Sequence, residues 1–176
     1  WSGLAHRIER VGPLDGSEFL EKLKALSPDF MILARVGIVN DEALSLVKQG
    51  TFNVHPSLLP WIRGMGGTRS LDARVPFGVT AHYVDAGIDT GAVIRRRMTP
   101  VTATETLLSI KHKNYALAAQ TMVDVVAVAM TEGPPKAAAQ GRRFPYRKVI
   151  APEEIAAYEQ AMADGLGLEL YERWRD

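Results

Sequence analysis

The sequence contains no cysteine. That removes disulfides, thiolate nucleophiles and cysteine-held zinc, and it leaves the redox compartment open. It also lacks any apolar run near the ~20 residues that a membrane span needs. The first residues, Trp1-Ser-Gly-Leu-Ala-His-Arg, carry no apolar stretch of a secretory leader. Neither sign of charge is in excess: 21 Lys and Arg against 20 Asp and Glu leave a formal +1. No bulk field therefore draws the chain to nucleic acid or membrane. There are no internal repeats, and no His/Asp spacing resembles a metal-ligand set. The chain starts at Trp1 rather than Met, so a preceding segment or processing is expected.

What is present suits one globular domain with a small appendage. Hydrophobic residues make up 47% of the 176 positions and charged residues 23%. Ser17 is expected to cap a helix running to about Leu26. Phe30-Met-Ile-Leu-Ala34 is a short, continuously apolar run, as in a strand covered on both faces. Asn40 or Asp41 caps a helix through about Lys48. Thr51–His55 reads as the next strand, Thr68–Arg74 as a short helix, Gly78–Val84 and Ala92–Met98 as an antiparallel pair. A long helix runs from Thr102 or Thr104 to about Met130, and Gly133-Pro-Pro stops it. Pro152-Glu-Glu starts a further helix to about Asp164, and a short final one comes after it.

Strand, loop, helix, strand is a βαβ order. It predicts an α/β fold: a Rossmann-like open, mostly parallel sheet with helices on both faces, over residues 1–133. Residues 134–176 are expected to form a linker and a short helical tail.

The segment Asn53-Val-His55-Pro-Ser-Leu-Leu-Pro-Trp-Ile-Arg63-Gly64 is built like a site. Residues i and i+2 of a strand share a side, so Asn53 and His55 face one region. Pro56 and Pro60 then stop regular structure. Ligands of open sheets bind beyond the carboxyl ends of the strands. The loops at 35–39 and 55–64 both lie there.

Asn53-Val-His55-Pro-Ser57-Leu-Leu-Pro60, Arg63-Gly64, Gly78-Val-Thr80, His82, and Asp85 with Gly87-Ile-Asp89-Thr-Gly91 stand in one order. Together they resemble the folate-dependent formyltransferase family, from about Ser27 to about Ala129. That resemblance implies Asn53, His55 and Asp89 as catalytic residues. It implies 10-formyltetrahydrofolate as formyl donor, held by two loops: Arg35, Val36, Gly37, Ile38 and Val39, then Asp85, Gly87 and Asp89. It places Ser57 and His82 in support, with His82 read as packing rather than carrying a proton. No metal is implied. The Asn53 amide and a His55 N–H would donate to the developing oxyanion, and Asp89 would relay the proton.

The implied activity is formyl transfer to the primary amine of a small-molecule acceptor, in the cytoplasm. Hydrolysis of the donor, or a catalytically silent folate- or partner-binding remnant, are the alternatives. Residues 140–154 look like the tail after the catalytic domain of methionyl-tRNA formyltransferases. That enzyme's large C-terminal barrel has no room in residues 155–176, so tRNA ranks below a small amine. A homodimer is left open, and the acceptor is not identified. In this family a glycine-rich strand–loop–helix normally precedes the segment matching Phe30–Ala34. Only residues 1–29 precede it here, so the first βαβ portion is expected to be missing or to lie upstream. His6 and His112 read as surface residues and Arg95-Arg96-Arg97 as a solvated strand face. The basic stretch 142–148 is too short to argue for nucleic acid.

Overall fold

A computed structural model describes residues 9–34, 36–65, 67–142 and 144–175. Arg35, His6 and Arg143 lie outside the described residues. The element order is α1 (Ser17–Leu26), β1 (Met31–Leu33), α2 (Asp41–Ser45), β2 (Thr51–His55), β3 (Arg63–Gly64), β4 (Gly78–Tyr83), β5 (Val93–Met98), α3 (Leu107–Glu132), β6 (Tyr146–Arg147), α4 (Ile155–Ala163) and α5 (Leu166–Arg175).

Strands β1, β2, β4 and β5 form one sheet in that order. β1 runs parallel to β2, β4 is antiparallel to β2, and β5 is antiparallel to β4. Three of the four strands therefore point the same way, with β4 reversed. Helices cover both faces. On one, Val125 and Ala129 of α3 pack on Phe52 and Ala81. Fully burying a side chain such as Val or Phe contributes about 1.5–3 kcal/mol. On the other, Leu23 of α1 and Ala43 of α2 pack with Met31 and Leu33. A third core joins Phe77, Val101 and Ile110 to Tyr158, Met162 and Leu170 of the C-terminal helices. No helix among the described residues is long and apolar enough to cross a membrane.

Several local expectations are corrected. Gly16, not Ser17, sits at the N-cap of α1 and makes no side-chain bond there. Asn40 caps α2 through its side chain, but the helix stops at Ser45. The stretch 68–74 holds only a 3-10 turn over Gly67–Ser70. Thr106, rather than Thr102 or Thr104, caps the long helix, with Ser109 closing a capping box. The arginines of β5 are not simply solvated: Arg97 bonds Asp124 of α3, while Arg96 donates to the Leu59 carbonyl and lies over the Trp61 ring. Strand alternation explains this, because successive arginines leave opposite faces of the sheet.

Candidate active site

Phe52 and Val54 turn into the α3 layer, so alternation sends Asn53 and His55 to the other face. The pairings Asn53↔His82 and His55↔Thr80 put His82 and Thr80 beside them. The loop after β2 then folds back. The Leu59 N–H donates to Thr80 Oγ1 at 3.0 Å, and that hydroxyl donates to the Ser57 carbonyl at 2.8 Å. This return brings the Ile62 carbonyl onto His55.

His55 is buried, and its Nε2 lies 3.0 Å from the Ile62 carbonyl oxygen. A carbonyl can only accept, so Nε2 carries the proton. Ser57 Oγ donates to the same oxygen at 2.8 Å. The other ring nitrogen, Nδ1, lies 3.5 Å from Asp89 Oδ1. The His55 N–H expected to donate to a substrate oxygen is therefore taken, at Nε2, by the protein's own backbone. What His55 keeps for chemistry is the lone pair on Nδ1.

His82 is arranged by the same logic. Its Nδ1 donates to the Tyr83 carbonyl at 2.7 Å, which leaves Nε2 to accept from the Asn53 amide at 3.4 Å. That Nε2 is also 3.8 Å from Asp89 Oδ1. Burial pushes both imidazoles below their ordinary value of 6.5. At His55 the Asp89 charge and the Ile62 carbonyl oppose that shift, and His82 adds to it. At His82 the Tyr83 carbonyl, Asp89 and Asp85 oppose it. Both rings are neutral near pH 7.

Asp89 comes from the loop between β4 and β5 and has a left-handed backbone, φ +53°. Its Oδ2 accepts the Gly64 N–H at 2.7 Å. Gly64 itself has φ +83°, and a Cβ there would collide with the Tyr146 ring. Only glycine lets its N–H present to the carboxylate and Tyr146 cover it. Asp85 shapes the same loop, accepting from the Gly87 N–H at 3.1 Å and the Thr90 hydroxyl at 2.5 Å.

These groups stand on the wall of a cavity of about 890 Å³. Val36, Gly37, Ile38 and Val39 line it, as do Asp85, Gly87 and Asp89. Asn53, His55 and His82 also line it. Helix α3 contributes Lys111, Asn114 and Tyr115, and the C-terminal segment contributes Tyr146, Val149 and Ile150. Ser57 acts through the Ile62 carbonyl. Arg35 lies outside the described residues, and His112 is exposed. Among the described residues no cluster of three or more His, Asp or Glu could hold a metal ion.

Four elements of the site are absent from the reading of the sequence. Two are backbone groups, the Ile62 carbonyl and the Gly64 N–H, and no side-chain pattern marks a backbone group. Asn114 donates to the Pro56 carbonyl at 3.2 Å and accepts from Thr99. Its signal is a polar residue four places after Ile110 on the inward stripe of the long helix. The fourth is Gln140, whose amide nitrogen donates to the Asp89 carbonyl at 3.0 Å and the Gly91 carbonyl at 2.8 Å.

The family described as formyl transferase matches residues 10–126 of the chain. A methionyl-tRNA formyltransferase of Halorhodospira halophila is 34% identical over 136 residues, which are 73% of this chain and 43% of that protein. The chain thus spans less than half of that relative. Among solved structures, the phosphoribosylglycinamide formyltransferase of Streptococcus pneumoniae TIGR4 matches with a TM-score of 0.57 at 31% identity, covering 64% of each chain. The formyltransferase PseJ of Anoxybacillus kamchatkensis was solved with UDP-4,6-dideoxy-4-formamido-L-AltNAc and tetrahydrofolate. It matches with a TM-score of 0.61 at 26% identity, covering 79% of this chain and 72% of that one. The matched segment carries Asn53, His55 and Asp89 together: the chain belongs to the formyl transferase family.

Proposed function

We propose that this chain moves a formyl group from 10-formyltetrahydrofolate to the primary amine of a small-molecule acceptor. The observation that carries the reading is the His55 Nδ1 lone pair, 3.5 Å from the Asp89 carboxylate, on the wall of a cavity that both loops line. A volume of about 890 Å³ falls inside the range that drug-sized ligands occupy, about 300–1,000 Å³. The loops offer backbone donors and acceptors for a heteroaromatic ring, and Val36, Ile38 and Ile88 offer apolar flanks. The tetrahydrofolate in the PseJ complex supports the same donor.

The acceptor nitrogen forms a bond to the formyl carbon, and the carbonyl electron pair moves onto oxygen. Asn53 has one N–H on His82 and a second left to donate to that oxygen. One well-placed donor is worth about 3 kcal/mol of barrier. The Asp89 carboxylate and the Nδ1 lone pair of His55 face each other at 3.5 Å, so together they accept the proton lost by the attacking nitrogen. They return it, directly or through water, to the folate nitrogen as its bond to the formyl carbon breaks. General base catalysis of this kind contributes ~10²–10⁴-fold.

A small amine is favoured over tRNA because a net charge of +1 gives little attraction for a polyanion. A cytoplasmic setting is part of the same proposal. The test mixes the full chain with 10-formyltetrahydrofolate and follows tetrahydrofolate release. Phosphoribosylglycinamide, a UDP-linked 4-amino sugar, methionyl-tRNA or no amine is supplied in parallel. Release that requires a small amine and stops in His55→Ala supports the proposal. Release without amine makes the chain a hydrolase. Binding of tetrahydrofolate without turnover makes it a silent relative.

A further inference from the structure

The loop that carries Asp89 is held from outside by a segment beyond the matched residues 10–126. Residues 135–142 and 144–147 run back along it. The Tyr83 hydroxyl donates to the Pro135 carbonyl at 2.9 Å, and Ala138 forms a two-bond bridge with Val93 at 2.8 and 2.9 Å. Arg63 then ties the two together. It donates to the Ile88 carbonyl at 3.0 and 2.6 Å and to the Phe144 carbonyl at 2.9 Å. Between these anchors lies Gln140.

A left-handed backbone at a non-glycine residue persists only where its surroundings fix it. At Asp89 the fixing groups are visible. The Asp89 and Gly91 carbonyls flank the turn, and the two N–H groups of one carboxamide meet them at 3.0 and 2.8 Å. Both partners are carbonyls, so the nitrogen end of Gln140 must face them. With the turn locked, Oδ2 meets Gly64 and Oδ1 faces His55. We propose that Gln140 is a positioning residue for Asp89: its carboxamide locks the Asp89–Gly91 turn so that the carboxylate is held against His55. The inference rests on the reaction proposed above for its consequence in turnover, but not for its geometry.

The test uses Gln140→Met, which keeps the volume and removes both donors. The titratable groups facing His55 are Asp89 from the loop and His82 from β4, with Asp85 facing His82 in turn. Asp89 raises the affinity of His55 for a proton. A looser Asp89 therefore moves the His55 titration, followed by NMR, toward lower pH, the direction Asp89→Asn also moves it. In turnover, kcat falls by roughly 10- to 100-fold, the scale of a small misplacement, while KM for the donor stays within about twofold. In an Asp89→Asn background, Gln140→Met adds little to either readout, because the effect runs through the carboxylate. Gln140→Asn, an amide one methylene short, gives a smaller shift in the same direction and serves if Gln140→Met does not fold. An unmoved His55 titration overturns the proposal, as does an equal loss in the presence and absence of the Asp89 carboxylate. If the unaltered chain shows no turnover, the proposed reaction fails, and the NMR titration still decides the role of Gln140.

Discussion

Replacing Asp89 by Asn separates chemistry from architecture. In the folded protein the carboxylate has two jobs. Oδ2 accepts from the Gly64 N–H at 2.7 Å, and Oδ1 stands 3.5 Å from the His55 lone pair. An amide does the first job equally well through its oxygen. Its nitrogen then faces Nδ1 and donates to it, a contact at least as favourable as two lone pairs. Asn also tolerates the φ of +53° at this position. Stability should therefore change by no more than about 1 kcal/mol, a typical net hydrogen-bond difference. In the proposed reaction, however, the carboxylate no longer takes up the proton, and the His55 lone pair that shares this role is occupied by the new amide. The rate should fall ~10²–10⁴-fold, which is about 3–5 kcal/mol of barrier. Asp89→Ala gives the complementary result. It strands the Gly64 N–H, costing about 1–3 kcal/mol, and puts Ala in a left-handed conformation at about 1–2 kcal/mol more. The assay is single-turnover release of tetrahydrofolate, with thermal melting of the same samples. Turnover of Asp89→Asn within tenfold of the unaltered chain would refute the role given to the carboxylate.

Three further outcomes rest on the same geometry. Gly64→Ala pushes a Cβ into the Tyr146 ring at a φ of +83°, so it should destabilise the fold by at least the ~1–2 kcal/mol of a left-handed non-glycine residue, read as a lower melting midpoint. It should also lower kcat, because the Asp89 partner moves with it. Leu170→Ala empties a fully buried position in the core that joins α5 to Phe77 and Ile110. Leu170 packs with Phe77, Val101 and Ile110, so the cost of about 2–5 kcal/mol should shift one cooperative urea transition, and a separate early transition would show that α5 folds apart. His55 and His82 both bind a proton less readily folded than unfolded. The unfolded chain therefore takes up more protons as pH falls through the ordinary imidazole value of 6.5, and folding stability falls with it. Urea midpoints measured from pH 8 to pH 5 should decline below that value, and His82→Gln should flatten the decline.

The bounds of β2 are legible in Thr51–His55 because an apolar-polar alternation and two prolines coincide there. The same alternation explains why Asn53 and His55 leave the sheet together. Their partner Asp89 is 34 positions beyond His55, and only the motif resemblance brings it near. The direction of each hydrogen bond is not legible. The tautomer of His55 depends on the Ile62 carbonyl, placed by a loop whose course rests on contacts with Thr80. The short 3-10 turn at Gly67–Ser70 reads as a helix in sequence because local pattern there is weak and tertiary contacts decide. Gln140 stands in a stretch without periodicity, where no rule links a side chain to a carbonyl 51 residues away.

The resting state of the site is set by which donors are already engaged. Nε2–H of His55 goes to Ile62, Nδ1–H of His82 to Tyr83, and the Gly64 N–H to Asp89. One Asn53 N–H goes to His82. Buried polar groups left unpaired are costly, so these bonds hold before any ligand arrives. Among these four residues, Asn53, His55, His82 and Asp89, what is left is one Asn53 N–H that can meet developing negative charge and one lone pair beside a carboxylate that can take a proton. A site with spare donors alone would stabilise an oxyanion and strand the proton of the attacking nucleophile. A site with spare acceptors alone would take the proton and leave the oxyanion uncovered. Acyl transfer to nitrogen needs one of each, and these residues keep one of each open.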